Sequence, residues 1–215
     1  IGTKRKRATM FEFHNAINVH DDPNRHVVLG TPLDMEPGEG QELIYFAAGC
    51  YWGVEKILWE TPGVVATAVG FMGGHADHPT YKQVCAGGTG HLETVRVVYD
   101  TSKISTGQII ATFFEIHDPT QGDRQGGDIG HQYHSAIWTT TDEQYDLAVR
   151  TREAYHDTIS EHGFGAITTH IATAADGGQF WFAEDSHQGY LFKNPDGYQC
   201  HSRTGYACPV LKSRS

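Results

Sequence analysis

The chain has 215 residues, and 16 Lys and Arg against 26 Asp and Glu give it a formal net charge of −10 at pH 7. This length allows one domain with its own hydrophobic core, and we expect a single domain. The acidic balance argues against a nucleic-acid partner, which would need a basic face, and the absence of an apolar run of about 18 residues argues against a membrane span.

The N-terminal part of the chain, residues 1–41, is predicted to be a tail followed by an extended arm. Residues 4–7 are four consecutive basic residues, a pattern typical of a solvated tail. Residues 11–42 contain the turn sequences DDPN and PGEG and show little hydrophobic periodicity. This end lacks the apolar stretch of a secretory signal. The sequence therefore favours a cytoplasmic location, with a protein whose signal was removed as the alternative.

A strand, a glycine and a helix start follow one another in LIYFAAGCYWGVEKILW, residues 43–59. The apolar run before Gly49 predicts a buried strand, and the apolar residues after it recur at helical spacing. Cys50 therefore falls at a helix start, where unpaired N–H groups and the helix dipole favour a thiolate, so we expect a pKa lowered toward neutrality. Tyr51 and Trp52 are placed to wall an apolar pocket beside the sulfur. An isolated cysteine is more often a small buried residue, but this context favours a reactive thiol.

The next segments are predicted to be mainly structural. Residues 64–71 form a second strand, and the loop after it contains His75 and His78. Loop histidines are usually solvated, so we expect no metal there. Residues 79–85 are predicted to form a short helix with Cys85 facing inward, as a packing residue rather than a catalytic one.

The predicted strand at residues 91–99 carries the acidic residue of most interest. Its alternate positions from Val95 to Tyr99 are apolar, and Glu93 lies on that same face. A carboxyl group held among apolar residues is favoured in its protonated form near neutral pH, which suits a proton donor. The alternative is a salt bridge at the strand edge.

The second half of the domain mixes helices and strands without strict alternation. Predicted helices cover residues 105–117, 141–161 and 184–193, and predicted strands cover residues 134–138, 167–171 and 180–182. Residues 121–133 contain four glycines and no hydrophobic run, which predicts a long loop of the kind that often carries functional residues. Asp128 and Tyr133 lie in this loop. The pattern predicts an α+β domain with a mixed sheet over residues 42–197.

The irregular C-terminal tail, residues 198–215, carries two of the four cysteines. Cys200 and Cys208 lie on either side of Gly205. A flexible tail would bring these two sulfurs into disulfide range and could move one of them toward Cys50. One reactive and two mobile thiols suggest a relay, in which an oxidised thiol is rescued by a second thiol and then a third. The alternative is a structural disulfide that closes the tail.

Several motifs resemble the A-type methionine sulfoxide reductases, the peptide-methionine (S)-S-oxide reductases. Residues 49–53, GCYWG, are similar to the GCFWG signature of that family, with Tyr51 where the family usually has Phe. Further similar stretches are PTYKQVCAGGTGHLETVRVVYD (79–100), HDPTQGDRQGGDIGHQYHSAI (117–137) and AEDSHQGYLFKNPDGYQC (183–200). The resemblance implies a two-layer α+β sandwich related to the ferredoxin-like plait, with a mixed, mainly antiparallel sheet.

The resemblance also implies a role for each matching residue. The implied catalytic residues are the nucleophile Cys50, the proton donor Glu93 and the recycling thiols Cys200 and Cys208. The implied substrate-binding residues are Tyr51 and Trp52 around the methyl group, Tyr81 and Tyr133 as hydrogen-bonding partners of the sulfoxide oxygen, and Asp128 in support of that network. No metal and no bound cofactor are expected.

The activity that the resemblance implies is reduction of the S epimer of methionine sulfoxide, free or in proteins, through a Cys50 sulfenic acid. The expected recycling partner is an external dithiol reductant, thioredoxin or a similar protein. We expect no nucleic-acid partner and no membrane partner.

Two other interpretations use some of the same residues. A cysteine hydrolase or acyltransferase would pair Cys50 with a histidine base such as His187, but it leaves the tail cysteines unused. A redox-responsive binding module would change partners when Cys200 and Cys208 oxidise, but it leaves Glu93 and the aromatic residues beside Cys50 unexplained.

Overall fold

The computed structural model describes residues 22–200 and 202–214, so the predicted basic tail lies outside the described residues. The strands within these residues are β1 Gln41–Ala47, β2 Val64–Met72, β3 Leu92–Asp100, β4 Arg124–Gln125, β5 Asp128–Ile129, β6 Ala136–Thr139, β7 His170–Thr173 and β8 Trp181–Phe182. The α-helices are α1 Tyr51–Trp59, α2 Tyr81–Ala86, α3 Thr106–Glu115, α4 Asp142–Ser160, α5 Ala174–Gly177 and α6 Tyr190–Lys193.

Six of the strands form one sheet in the order β7-β6-β1-β3-β2-β8. Neighbouring strands are antiparallel except β6 and β7, which run parallel. The elements β1, α1, β2, β3, α3 and β6 follow the β-α-β-β-α-β order of a ferredoxin-like plait. The predicted α+β architecture with a mixed, mainly antiparallel sheet is therefore confirmed.

The central strand β3 is buried along almost its whole length, because β1 and β2 flank it and both faces of the sheet are covered. On one face, Val95, Val97 and Tyr99 join the main core with residues of α1, α3 and α4. On the other face, a smaller cluster includes Leu92 and Trp138. Glu93 lies on the face of the main core, as the alternation of the sequence predicts.

The helices begin where the sequence supplies polar caps. Thr80 and Ser105 each form a capping box at the start of α2 and α3, and the Thr141 side chain accepts the backbone N–H of Gln144 at the start of α4. Within residues 22–200 and 202–214, none of the helices is both long enough and apolar enough to cross a membrane.

Two predicted segments differ in detail from the structure. The predicted loop at 121–133 contains the short antiparallel pair β4 and β5 and a 3₁₀ turn, His131–Tyr133. The predicted helix at 184–193 is divided into a 3₁₀ turn, Asp185–His187, and α6. Gly189 separates the two, since its left-handed conformation (φ 60°) interrupts the helix.

The C-terminal tail is irregular, as predicted, but its described residues are packed on the domain. The Tyr155 hydroxyl of α4 hydrogen-bonds the Thr204 hydroxyl and donates to the Tyr206 carbonyl. The ring of Tyr206 stacks on His162, with ring centroids 3.8 Å apart. Aromatic stacking and buried hydrogen bonds thus hold this segment against the domain, and movement of a tail thiol toward Cys50 stays a prediction.

Candidate active site

Cys50 lies at the junction between β1 and α1, where the sequence predicts it. It occupies the N-cap position of α1 and is only 8% exposed. Gly49 before it has φ 92°, a conformation that favours glycine. A Cβ atom on Gly49 would also lie 2.7 Å from Gln125 Cγ, so only glycine fits between Cys50 and the β4–β5 pair.

The expected lowering of the Cys50 pKa is wrong. Burial raises the pKa of this thiol, and the negative charges of Glu93 and Asp128 raise it further. The backbone N–H groups of Trp52 and Gly53 act in the opposite direction but do not compensate. A helix start stabilises an anion modestly, whereas removing a charge from water costs several times more. The thiol is therefore protonated at neutral pH in this form of the protein.

Glu93 is connected directly to the helix start beside the thiol. Its carboxyl group is 1% exposed, and Oε2 accepts the backbone N–H of Tyr51 at 3.0 Å. Burial raises the pKa of Glu93 to about 8, with the Asp128 charge adding to the rise and the Tyr51 hydrogen bond opposing it. At neutral pH this group is therefore a neutral acid that can donate a proton. A salt bridge at an exposed strand edge does not fit such a buried carboxyl.

The same site contains three further predicted residues, each from a different element: Tyr81, Asp128 and Tyr133. Tyr81 begins α2, Asp128 lies in β5, and Tyr133 ends the 3₁₀ turn. Burial raises the pKa of both phenols, and the charge of Glu93 raises them further. Burial also raises the pKa of Asp128, while a hydrogen bond from Tyr198 lowers it. Both phenols therefore stay protonated and can donate hydrogen bonds beside Glu93.

Four rings surround the ring of Trp52, and these five rings together are what we call the aromatic wall. They are Tyr51, Trp52, Tyr81, His187 and Tyr190. The indole stacks on Tyr190, with ring centroids 3.9 Å apart and an angle of 13° between the planes. On another side, Trp52 Nε1 donates to His187 Nδ1 at 3.0 Å. The wall presents apolar ring surface next to Cys50, which suits a small apolar group such as a methyl.

The position of His187 bears on the hydrolase alternative. Because its Nδ1 accepts the Trp52 indole N–H, the ring is neutral with its proton on Nε2. Burial lowers the pKa of His187 and so favours this neutral form. The only ring nitrogen without a proton, Nδ1, is occupied by the Trp52 indole N–H. His187 therefore has no free nitrogen to accept the Cys50 proton, which disfavours its role as a base.

The hydroxyl group that distinguishes Tyr51 from phenylalanine is buried without a partner. The side chain is 1% exposed, and its oxygen hydrogen-bonds to none of the described residues. Burial raises the pKa of this phenol, followed by the charges of Glu93 and Tyr81. The hydroxyl therefore stays protonated, and it adds a polar atom to the aromatic residues beside Cys50.

Cys200 lies against the β4–β5 pair on the Cys50 side. Its thiol contacts the Gln125 carbonyl at 3.4 Å, and its sulfur would lie 3.3 Å from a Cβ atom on Gly126. Gln125 also packs on Gly49, the residue before Cys50. The same residue therefore contacts both the segment of Cys50 and the thiol of Cys200. The Cys200 side chain is partly exposed.

Cys208 and Cys85 are placed differently from expectation. Cys208 is 6% exposed and belongs to the main core. Its backbone N–H donates to Glu115 Oε1 at 2.7 Å, and burial raises the pKa of its thiol to about 12. Cys85 is exposed, so the prediction that it faces inward is wrong, because the short helix α2 buries Val84 instead. The Cys85 thiol interacts with the Tyr81 hydroxyl one turn earlier. All four cysteines are free thiols.

Some residues of the site carried no clear signal in the sequence. Tyr190 and His187 support Trp52, whereas the sequence predicts only a short helix in their segment and suggests His187 only as the base of a hydrolase. Glu184 accepts the Tyr81 backbone N–H at 3.0 Å. Gln125 is fixed in a glycine-rich loop by two hydrogen bonds to the Asp118 backbone. Within the described ranges, no group of three or more His, Cys, Asp or Glu side chains is arranged to hold a metal ion.

The chain is similar to one protein family over most of its length. Residues 42–213 match the family model for peptide methionine sulfoxide reductase. A peptide methionine sulfoxide reductase MsrA from Corynebacterium glutamicum (strain R) is 49% identical over 192 residues, which cover 89% of this chain and 88% of that protein.

Solved structures show the same similarity. Methionine sulfoxide reductase A of Corynebacterium diphtheriae has a TM-score of 0.76 and 46% identity, covering 90% of this chain and 92% of that chain. Reduced Mxr1 from Saccharomyces cerevisiae has a TM-score of 0.70 and 31% identity, covering 82% and 97%. Mxr1 in complex with Trx2 matches with a TM-score of 0.51 at 20% identity, covering 82% and 96%, and supports the fold alone.

Proposed function

The chain belongs to the peptide methionine sulfoxide reductase family, and we propose that it reduces the S epimer of methionine sulfoxide, free or in proteins, with Cys50 as nucleophile. One observation carries this proposal. The buried Glu93, with its pKa raised to about 8, accepts the N–H of the residue next to Cys50. A thiol and a neutral acid are thus brought together at the start of α1, as the reduction of an S=O group requires.

The first step breaks the sulfoxide S–O bond. The Cys50 sulfur bonds to the sulfoxide sulfur, while Glu93 gives its proton to the sulfoxide oxygen and takes up the thiol proton. The hydroxyl group then moves to Cys50, which becomes a sulfenic acid, and methionine leaves. Two electrons pass from the thiol to the substrate. Tyr81 and Tyr133 donate hydrogen bonds to the oxygen, where negative charge develops in the transition state.

The aromatic wall and Asp128 complete the proposed binding site. Tyr51 and Trp52 hold the methyl group of the substrate on the apolar side of the cavity, while the polar residues occupy the other side. Asp128 accepts a hydrogen bond from Tyr198 and adds negative charge near Glu93, which helps to keep the acid protonated. In this proposal, selection of one sulfoxide epimer follows from apolar rings that hold the methyl group and polar groups that bind the oxygen.

A disulfide relay then restores Cys50. The Cys200 thiol attacks the sulfenic acid, a Cys50–Cys200 disulfide forms, and water leaves. Cys208 next attacks Cys200, which releases the Cys50 thiol and leaves a Cys200–Cys208 disulfide. The placement of Cys200 against Gln125, which packs on Gly49, supports Cys200 as the first partner.

An external dithiol reductant closes the cycle, and a thioredoxin-like protein suits it because Cys200 is partly exposed. Such a reductant exchanges thiols with the Cys200–Cys208 disulfide, so no bound cofactor takes part. A cytoplasmic location is part of the proposal, since a reducing compartment keeps dithiol reductants supplied.

The proposal is tested with racemic methyl p-tolyl sulfoxide and dithiothreitol as the reductant. We expect the S enantiomer alone to be consumed, as measured by chiral chromatography of the remaining sulfoxide. The matched control is Cys50→Ser, which should leave both enantiomers intact. Consumption of neither enantiomer by the reduced wild-type protein, or equal consumption of both, would contradict the proposal.

A further inference from the structure

Glu55 is a fully buried carboxyl group that the proposed chemistry does not use. Its side chain is 0% exposed and lies on the inner face of α1, one turn after Tyr51 and Trp52. A buried carboxylate is costly unless several donors surround it. Glu55 has three donors, and each comes from a different part of the chain.

The donors connect the N-terminal arm, the sheet and the segment before α6. His26 Nε2 donates to Glu55 Oε1 at 3.1 Å, and the Thr67 hydroxyl of β2 donates to the same oxygen at 3.2 Å. The Gly189 backbone N–H donates to Glu55 Oε2 at 2.9 Å. Each carboxylate oxygen is therefore occupied.

The arm holds His26 in the tautomer that this arrangement needs. The backbone N–H groups of Val28 and Leu29 both donate to His26 Nδ1, at 3.1 and 3.0 Å. The imidazole proton must then be on Nε2, which faces Glu55. The ring also meets Trp59 of α1 edge-on, with centroids 5.3 Å apart.

The segment that Glu55 holds is the one that supports Trp52. Gly189 immediately precedes Tyr190, on which the Trp52 indole stacks, and His187 accepts the indole N–H two residues earlier. Between them, the Gln188 side chain hydrogen-bonds the backbone of Val69 through both its oxygen and its nitrogen. A Cβ atom on Gly189 would collide with Val27 of the arm, so the arm lies directly over this turn.

We propose that Glu55, with His26 as its partner, is a positioning residue that fixes the Trp52 face of the aromatic wall. Glu55 lies on the same helix as Trp52 and binds the turn that carries Tyr190, so it sets the distance between the two stacked rings. The N-terminal arm, through His26, becomes part of the substrate site. The kinetic consequence rests on the proposed function, because it concerns how the wall holds the substrate methyl group.

Glu55→Gln tests this role with little change in volume. The amide nitrogen cannot accept a hydrogen bond, so at least one of the three donors loses its partner. Because the wall binds the methyl group equally in the ground state and the transition state, we expect KM for methyl p-tolyl sulfoxide to rise about tenfold, with kcat changed less than about threefold. His26→Phe, which keeps the ring but removes the donor, should shift KM in the same direction.

A core variant in α4 separates positioning from general destabilisation. Leu147→Ala removes a buried side chain from the main core, at a residue with no part in the aromatic wall. This variant should lower Tm and leave KM unchanged. If Glu55→Gln lowers Tm but keeps the wild-type KM, as Leu147→Ala should, the positioning role is refuted.

A readout without turnover keeps this inference distinct from the proposed function. Acrylamide should quench the tryptophan fluorescence of Glu55→Gln more strongly than that of the wild type, and the difference should vanish in a Trp52→Phe background. If the wild type reduces no sulfoxide, the proposed function fails while the quenching still tests the position of Trp52. Equal quenching of wild type and Glu55→Gln would refute the inference.

Discussion

Glu93 is a strand residue whose chemical state depends on burial more than on any single partner. Its pKa, raised to about 8, lies above the ordinary value, so the acid form predominates below pH 8 and is lost as the pH rises through that value. In the proposed reaction both the thiol and the acid begin protonated. We therefore expect single-turnover kcat/KM to be level below pH 8 and to fall above it.

Removing the acid should confirm which group causes this fall. Glu93→Gln should lower kcat/KM by roughly 10²- to 10⁴-fold, because an amide cannot donate a proton to the oxygen. Its remaining activity should show no fall near pH 8. A variant that keeps the wild-type pH profile would assign the titration to another group.

Cys50 differs from an activated cysteine in its resting state. Since burial raises the pKa of its thiol, iodoacetamide should alkylate Cys50 slowly at pH 7 and steadily faster up to pH 10. Peptide mapping by mass spectrometry gives the rate at this residue, and Cys50→Ser identifies its peptide. If the alkylation rate has its inflection between pH 6 and 7, the helix start determines the pKa of the thiol and burial does not.

Tyr51 carries a hydroxyl that the fold leaves unsatisfied within the described residues. A buried polar group without a partner costs about 1–3 kcal/mol. Tyr51→Phe should therefore increase the free energy of unfolding by about 1 kcal/mol, measured by urea denaturation. Equal or lower stability would mean that the hydroxyl has a partner in solution.

At the scale of elements, the C-terminal tail must move for the relay to operate. Cys208 is buried beside Glu115, whereas Cys200 lies at the β4–β5 pair. We expect the contacts of Tyr206 with His162 and of Thr204 with Tyr155 to break before Cys208 reaches Cys200. The tail is therefore a packed element, and the proposed relay requires its release.

The order of the relay can be trapped by removing its last thiol. Cys208→Ser, oxidised by one equivalent of substrate without reductant, should accumulate a Cys50–Cys200 disulfide, which tryptic mapping detects. The parallel control, Cys200→Ser, should contain no disulfide to Cys50. An unlinked Cys50 in oxidised Cys208→Ser would refute this order.

Helix α2 places Cys85 on the surface, one turn after Tyr81. Cys85 has no part in the relay, and serine keeps a hydroxyl that can replace its contact with Tyr81. Cys85→Ser should therefore keep turnover within about twofold of the wild type in the dithiothreitol assay. A loss of turnover without a loss of Tm would show that α2 contributes a thiol to the reaction.

At the scale of the whole molecule, hydrophobic periodicity predicts most of the sheet and helices. The alternation around Glu93 gives its face correctly, because β3 is covered on both sides and its neighbours are apolar. The position of Cys50 at a helix start follows from the glycine that precedes it. In contrast, the state of the Cys50 thiol depends first on its burial and then on Glu93 and Asp128, which are distant in sequence, so the local helix dipole does not predict it.

The residues that support the site were harder to predict, because they act across the chain. Glu55 follows Tyr51 by four residues and precedes Leu58 by three, so it occupies a core position of α1. A charged residue at a core position indicates a buried polar contact, and this spacing is visible in the sequence. Its partners His26 and Gly189 lie too far away in sequence for spacing to reveal them. The burial of Cys208 depends in the same way on contacts of the tail with α3 and α4.

Gly49 joins the two halves of the proposed cycle. On one side it precedes Cys50, and on the other it lies flat against Gln125, which contacts Cys200. Because position 49 has a hydrogen atom in place of a side chain, Gln125 can lie between the segments that carry the two sulfurs of the proposed exchange. In a library of all replacements at position 49, even alanine should uncouple oxidation of the first thiol from its repair.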